Sequence, residues 1–252
     1  MSLSIEKTVT KMKYIIGCSG FHYKHWKGDF YPEDLPVRKW FEFYCEHFNT
    51  LELNVSFYRF PTPSMLQGWY QKSPENFIFA VKVPRSITHF KKLLNTENML
   101  RDFYRTVKLG LKEKLGCILF QFPPNFAYSA EHLQRIINSL DNDFKNIVEF
   151  RHSSWWTAEI YAQLGERKIG FCGMSHPEFP DELVYNAEFL YYRLHGQPDL
   201  YRSNYTETDL ARLYEKLASL RTVKEAFVYF NNDVKGYATK NAASLQQKAL
   251  GG

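Results

Sequence analysis

The chain has 252 residues, 44% of them hydrophobic and 23% charged, with a formal net charge of +5. This balance excludes a disordered or low-complexity chain. No apolar run approaches the roughly 18 residues of a membrane span, so no membrane partner is expected. The unusual quantity is the aromatic share, 17%, and the charge excess is too small to argue by itself for nucleic acid.

Residues 1–13 are polar, carry no apolar leader segment, and are expected to form a tail ahead of one domain over residues 14–250. The first strand is predicted at 14–18, followed by a long connection over 20–36 and a helix at 37–47. Residues 50–54 read as the second strand. Thr62-Pro63 opens the next helix, with Thr as N-cap and Pro at the first helical position. The third strand, 77–83, leads to a helix at 97–109; the fourth, 116–121, to one at 130–140; the fifth, 146–151, to one at 158–167. The sixth strand, 168–173, is followed by an interval that Pro177 and Pro180 interrupt, so its helix is expected to be short or absent. The seventh, 189–195, precedes a helix at 206–220 opened by Thr206 and Asp209 in capping-box spacing. The eighth, 226–231, precedes a closing helix at 237–249. Strand alternating with helix, without a Gly-rich dinucleotide turn after the first strand, predicts a single-domain (β/α)8 TIM barrel, α/β in class and irregular at its sixth helix. Cys18, Cys45, Cys117 and Cys172 are widely spaced with no Cys-x-x-Cys, which fits a reducing cytoplasm. They are expected to act as small buried hydrophobes.

In this fold the C-terminal strand ends form the active-site face, and side chains alternate across a strand with period two. Parity sets Glu52 and Asn54 opposite Leu51 and Leu53, and Lys82 opposite Phe79 and Val81. It likewise sets Glu149 and Arg151 opposite Val148 and Phe150, and Arg193 and His195 opposite Tyr192 and Leu194. Gln121 and Asn231 end the fourth and eighth strands. Six strands therefore aim polar groups inward at one end, where unpaired charge is costly. Two glutamates against Lys82, Arg151 and Arg193 leave one cation in excess, to which a protonated His195 would add. Such a ring suits a small anionic or polyhydroxylated ligand; the structural alternative is a self-satisfied salt-bridge layer that plugs the mouth.

Several segments carry a family signature. Gly17-Cys18-Ser19-Gly20-Phe21 is followed by Tyr23, Trp26, Gly28 and Phe30-Tyr31-Pro32. Glu52-Leu53-Asn54-Val55-Ser56-Phe57-Tyr58, Phe79-Ala80-Val81-Lys82 and Leu119-Phe120-Gln121-Phe122-Pro123-Pro124 come next. Val148-Glu149-Phe150-Arg151-His152, Ser154-Trp155, Tyr192-Arg193-Leu194-His195-Gly196, Phe230-Asn231-Asn232 and Asn241-Ala242 complete the series. Together these resemble the YecE-like family, the domain of unknown function 72, over residues 14–243. The resemblance implies a TIM barrel and no established activity. Cys18 departs from the family's more usual Thr, keeping a small residue.

The expected substrate-binding set comprises Asn54, Gln121 and Arg151 of the ring, Gly20, Tyr23 and Trp26 of the first connection, and Tyr58, Trp155, Asn231 and Asn232. The first connection interleaves rings with cations, which suits either stacking on bases or sugars or a lid packed on its own rings. The third, 84–92, holds Arg85, His89, Lys91 and Lys92, suited to phosphate or simply to solvent. The segments 196–198 and 231–236 occupy the place where barrels often build a phosphate cradle; Lys235 favours an anion there and Asp233 opposes one. No His-x-His or His-Glu-x-x-His spacing occurs, and Lys82 and Arg193 would repel a cation, so no metal and no other cofactor is expected.

The expected function is acid–base catalysis of hydrolase or lyase type on a small anionic or sugar-like substrate. Glu149 would be the general acid or base, and Glu52 a second carboxylate or the partner of Lys82. Lys82, Arg193 and His195 would stabilise developing negative charge. Cations beside each carboxylate lower its pKa, which ranks glycoside hydrolysis lower. A glutamate beside Lys82 would keep it protonated and a poor Schiff-base nucleophile. The alternative is a non-catalytic module for an anionic metabolite or a nucleic-acid end; oligomeric state is not legible.

Overall fold

The computed structural model describes residues 12–251. Most of the expected tail lies outside them, and its last residue, Lys13, already belongs to the first strand. Eight parallel strands close into a barrel in sequence order. They are β1 (Lys13–Ser19), β2 (Thr50–Leu53), β3 (Ile78–Lys82), β4 (Leu115–Gln121), β5 (Asn146–Glu149), β6 (Gly170–Ser175), β7 (Phe189–Leu194) and β8 (Glu225–Phe230). β1 pairs with β8 as well as β2, so no sheet edge is left open.

The helical layer follows the predicted order. α1 (Trp40–His47) follows β1; α2 (Val55–Tyr58) and α3 (Pro63–Lys72) follow β2; α4 (Glu97–Leu111) follows β3. α5 (Ala130–Ser139), α6 (Ala158–Glu166), α7 (Glu207–Ser219) and α8 (Tyr237–Gly251) follow β4, β5, β7 and β8. The caps explain where the helices start. Thr62 accepts from Met65 N, Ser129 from His132 N, and Thr206 with Asp209 forms a full capping box. No helix separates β6 from β7 among the described residues, in keeping with the two prolines. β6 starts later than predicted because Lys168 takes a left-handed turn (φ 57) whose N–H donates to Gly165 O, using residues 167–169 to leave the helix. Among the described residues no helix is long and apolar enough to cross a membrane.

Parity divides the core in two. Leu51, Leu53, Phe79, Val81, Val148, Phe150, Leu194 and Phe230 lie under the helices. Ile15, Ala80, Cys117, Leu119, Ile147, Cys172, Tyr191, Phe227 and Tyr229 fill the barrel interior. Each large side chain buried this way contributes roughly 1.5–3 kcal/mol. The aromatic excess is chiefly packing. Tyr31 stacks on Trp40 at 4.7 Å and 7°, and Phe150 on Trp155 at 3.9 Å and 3°. Inside the barrel, Thr50 and the Tyr229 hydroxyl share a 2.7 Å hydrogen bond. The apolar fill makes a floor on which the polar ring at the C-terminal strand ends rests.

Candidate functional site at the barrel mouth

The ring is built around Arg193, which is 2% exposed. Its Nη1 donates to Glu149 Oε2 at 2.7 Å and its Nη2 to Glu52 Oε1 at 2.7 Å. One guanidinium thus bridges two fully buried carboxylates, one from β2 and one from β5, a fork geometry an ammonium could not reproduce. Glu52 is completed by the Tyr191 hydroxyl at 2.5 Å and by the Ser19 hydroxyl. Ser19 Oγ in turn accepts from Arg193 Nη2 at 3.0 Å and from Asn54 Nδ2 at 2.8 Å. Arg151, just past β5, folds back so that its Nε donates to Glu149 Oε1 at 2.7 Å.

Burial alone would raise the Glu149 carboxyl, but Arg151 and Arg193 outweigh it and hold the group well below the usual carboxylate range. Burial, then Arg151 and Arg193, push His195 well below its ordinary value, so the ring is neutral at pH 7 and adds no charge. His195 Nε2 lies 3.0 Å from Arg151 Nη2 and Nδ1 3.0 Å from Asn231 Nδ2. Arg151 can only donate. Nε2 therefore accepts from Arg151, and the Asn231 side-chain amide lies against Nδ1.

Lys82 ends β3 and is 8% exposed. Its ammonium lies 4.1 Å from the centroid of the Phe57 ring, in cation–π contact. No carboxylate among the described residues comes within ion-pair distance of it, because Arg193 and Arg151 occupy both glutamates. Burial, followed by the field of Arg193, lowers Lys82 to about 8 against the partial opposition of Glu149 and Glu52. Glu52 is therefore not the partner of Lys82: the short reach of a strand-end glutamate is already spent on Arg193, Ser19 and Tyr191. The excess cation inferred from composition is Lys82 itself.

Three further groups at the mouth keep free capacity. Among the described residues Arg151 Nη1 and the Gln121 amide make no hydrogen bond, and Asn54 Oδ1 is buried without a partner. Tyr23 reaches Ser19 O at 2.8 Å from the first connection. Gly20 (φ +94) makes the turn into that connection, and a Cβ there would meet the Tyr23 hydroxyl at 2.6 Å. Tyr58 stands on the rim, 70% exposed.

Three members of the expected binding set lie away from the mouth. Trp26 is fully buried, and its Nε1 donates to Asp233 Oδ1 at 2.6 Å. Trp155 is fully buried in the Phe150 stack and donates to Phe126 O at 2.6 Å. Asn232 donates to Ser203 O and Asn241 Oδ1, holding the loops after β7 and β8 together. Large rings and amides beside an active-site face have more area to bury in the loop layer than over an open mouth. Asp233 also accepts from His25, so the first connection closes onto the segment where a phosphate cradle was expected. Ser19 and Tyr191 were absent from the expected set. Both obey the inward parity of their strands, the signal that would have found them. Cys18, Cys117 and Cys172 are buried and Cys45 half-buried, all as free thiols.

A groove of about 880 Å³ lies between α4 and α5 and is lined by Leu94, Arg101, Tyr104, Arg105, Lys108 and Phe144 among others. It is in the helical layer, and its cations are solvated, at little energetic cost. The mouth, which holds its charges out of water, is the better candidate.

A profile of the family described as protein of unknown function DUF72 matches residues 15–251. UPF0759 protein YunF of Bacillus subtilis is 29% identical over 140 residues, covering 53% of this chain and 50% of that protein. UPF0759 protein YecE of Escherichia coli K12 is 28% identical over 116 residues, covering 46% and 42%. The matched region thus spans about half the length of these curated relatives. Among solved structures, a DUF72 family protein of Thermotoga maritima superposes with a TM-score of 0.85 at 31% identity, over 94% of this chain and 98% of that one. A DUF72 family protein of Enterococcus faecalis gives 0.79 at 22% identity, over 94% and 95%, and speaks for the fold alone.

Proposed function

The chain belongs to the DUF72 family, whose function is unknown, and from the residues at the barrel mouth we propose that it binds a small anionic substrate and acts on it by proton transfer through Lys82. The observation that carries this reading is the division of partners: Arg193 holds both buried glutamates at 2.7 Å and Lys82 holds neither. A structural network would have no reason to retain an unpaired buried cation, which costs free energy. A site that must neutralise an anion and exchange a proton near neutral pH has two.

Roles follow from geometry. Arg151 Nη1 would take the anionic group, while its other edge stays locked on Glu149. Lys82, lowered to about 8, sits near the operating pH where a group can both give and accept a proton. Asn54 Oδ1 and the Gln121 amide would orient a hydroxyl or carbonyl. Glu149 is re-assigned from general acid or base to scaffold: a carboxylate held well below its usual range by two guanidiniums is a weak base and carries no proton to give. This favours lyase-type chemistry at a carbon beside a carboxylate or carbonyl.

The test is thermal melting of the wild type with oxalate and with inorganic phosphate. Either anion raises Tm in the wild type and loses its effect in Lys82→Met and in Arg151→Gln. An anion shift retained in full by both variants would remove the mouth as the site.

A second reading has one observation behind it. Tyr58 and Phe90 are each 70% exposed, and the Arg85 guanidinium lies 5.7 Å from one ring and 5.4 Å from the other. Such a rim suits a nucleobase stacked beside its phosphate, and a binding role without catalysis. It demands an affinity that falls steeply with salt; a flat plot of log K against log salt excludes it.

A further inference from the structure

Lys82 has the surroundings of a nucleophile rather than of a charge partner. Its Nζ faces the Phe57 ring from α2. β2 contributes Glu52, β5 Glu149 and the residue just past it Arg151, β7 Arg193, and the turn after β3 His89. Every carboxylate in that set is taken by a guanidinium. His89, lowered to about 4 by burial and then by Lys82, stays neutral and offers no countercharge. The objection that a neighbouring glutamate would hold the lysine protonated is thereby removed.

We propose, building on the anion-binding reading above, that Lys82 forms an imine with a small anionic aldehyde or ketone, the 2-oxo acids being the class that fits. The carboxylate would lie on Arg151 Nη1 and the carbonyl carbon against Lys82 Nζ. The free amine attacks that carbon, a C–N bond forms, and the carbonyl oxygen takes up a proton to give a carbinolamine. Asn54 Oδ1, a buried acceptor without a partner, would accept from that new hydroxyl. The C–O bond then breaks. The oxygen leaves as water with one proton from the amine and one from solvent, and a protonated imine remains. No oxidant or reductant takes part. The iminium is the electron sink that proton loss or C–C cleavage at the neighbouring carbon requires. With a pKa of about 8, roughly a tenth of Lys82 is free amine at pH 7, against about one part in three thousand for an ordinary lysine.

The experiment traps the imine in the intact chain. Glyoxylate is added with sodium cyanoborohydride, which reduces an iminium to a stable secondary amine, and the modified lysines are located by peptide mass mapping. Lys82 is expected to be labelled roughly tenfold or more faster at pH 7 than the exposed Lys24. Its rate should level off near pH 8. Oxalate should suppress labelling at Lys82 alone. Lys82→Arg, which keeps the charge and the fold, should lose the selective adduct. If Lys82 is labelled no faster than Lys24 while oxalate still raises Tm, the imine is refuted and anion binding stands. If oxalate has no effect on Tm and labelling is unselective, both are refuted.

Discussion

Arg193 and Lys82 carry the same charge at the same barrel mouth, yet Arg193 bridges Glu52 and Glu149 at 2.7 Å each while Lys82 is left over an aromatic ring. The division follows from side-chain shape. A planar guanidinium in the centre of the barrel presents two edges to two carboxylates, and a single ammonium on the wall does not.

Lys82→Met should leave stability unchanged or raise it by about 1 kcal/mol, because it removes a buried charge without orphaning a partner. Urea denaturation of both proteins measures this. A loss of several kcal/mol would mean that the lysine belongs to the structural network after all.

Arg193→Met should cost about 3–5 kcal/mol or prevent folding, since it strands two carboxylates out of water. Arg193→Lys should recover only part of that, because it cannot serve both glutamates. Equal stability of the lysine variant and the wild type would contradict the bridging role.

The pH dependence from the lowered groups has the same sign at the two ends: each adds stability as pH rises through its window. Lys82 is held at about 8, below its ordinary value of 10.5. Between those pH values the unfolded chain binds more protons than the folded one, so stability rises with pH. The wild type should therefore gain on Lys82→Met by on the order of 3 kcal/mol from pH 8 to 10.5. The buried Cys18, Cys117 and Cys172 thiols are pushed up by burial and act in the other direction. The variant shares them, so only the difference between the two chains is diagnostic. At the acid end, His89 and His176 are held at about 4, chiefly by burial, and Glu149 lies well below its ordinary 4.5. Stability should fall as pH drops from 6.5 toward 4 through the histidines, and further below 4.5 through Glu149. A melting temperature constant from pH 7 to pH 4 would contradict this.

Asp233→Ala should loosen the first connection, because Trp26 Nε1 and His25 both lean on Asp233. Leaving a buried indole N–H unpaired costs about 1–3 kcal/mol. Limited proteolysis should then cut between residues 20 and 36 faster than in the wild type; Asp233→Asn, which keeps an acceptor for Trp26, should be cut at an intermediate rate. Identical cleavage in all three would mean that the connection is held by its rings alone.

The sequence by itself determined the barrel and the inward direction of the polar ring. Both are local: strand periodicity decides which way Glu52, Lys82, Glu149 and Arg193 point, and Thr62, Ser129 and Thr206 mark helix starts through their own N-caps. Tyr191 and Ser19 were legible by the same parity. Who pairs with whom was not. Arg193 lies 141 residues from Glu52 and 44 from Glu149 along the chain, and only closure of the barrel brings all three to one axis. Composition registered one cation too many. The tertiary structure decided that it is Lys82, because the central guanidinium reaches both carboxylates. It also sent Trp26 and Trp155 into the loop layer, since burying an indole with its N–H bonded is worth more than leaving it at an open mouth.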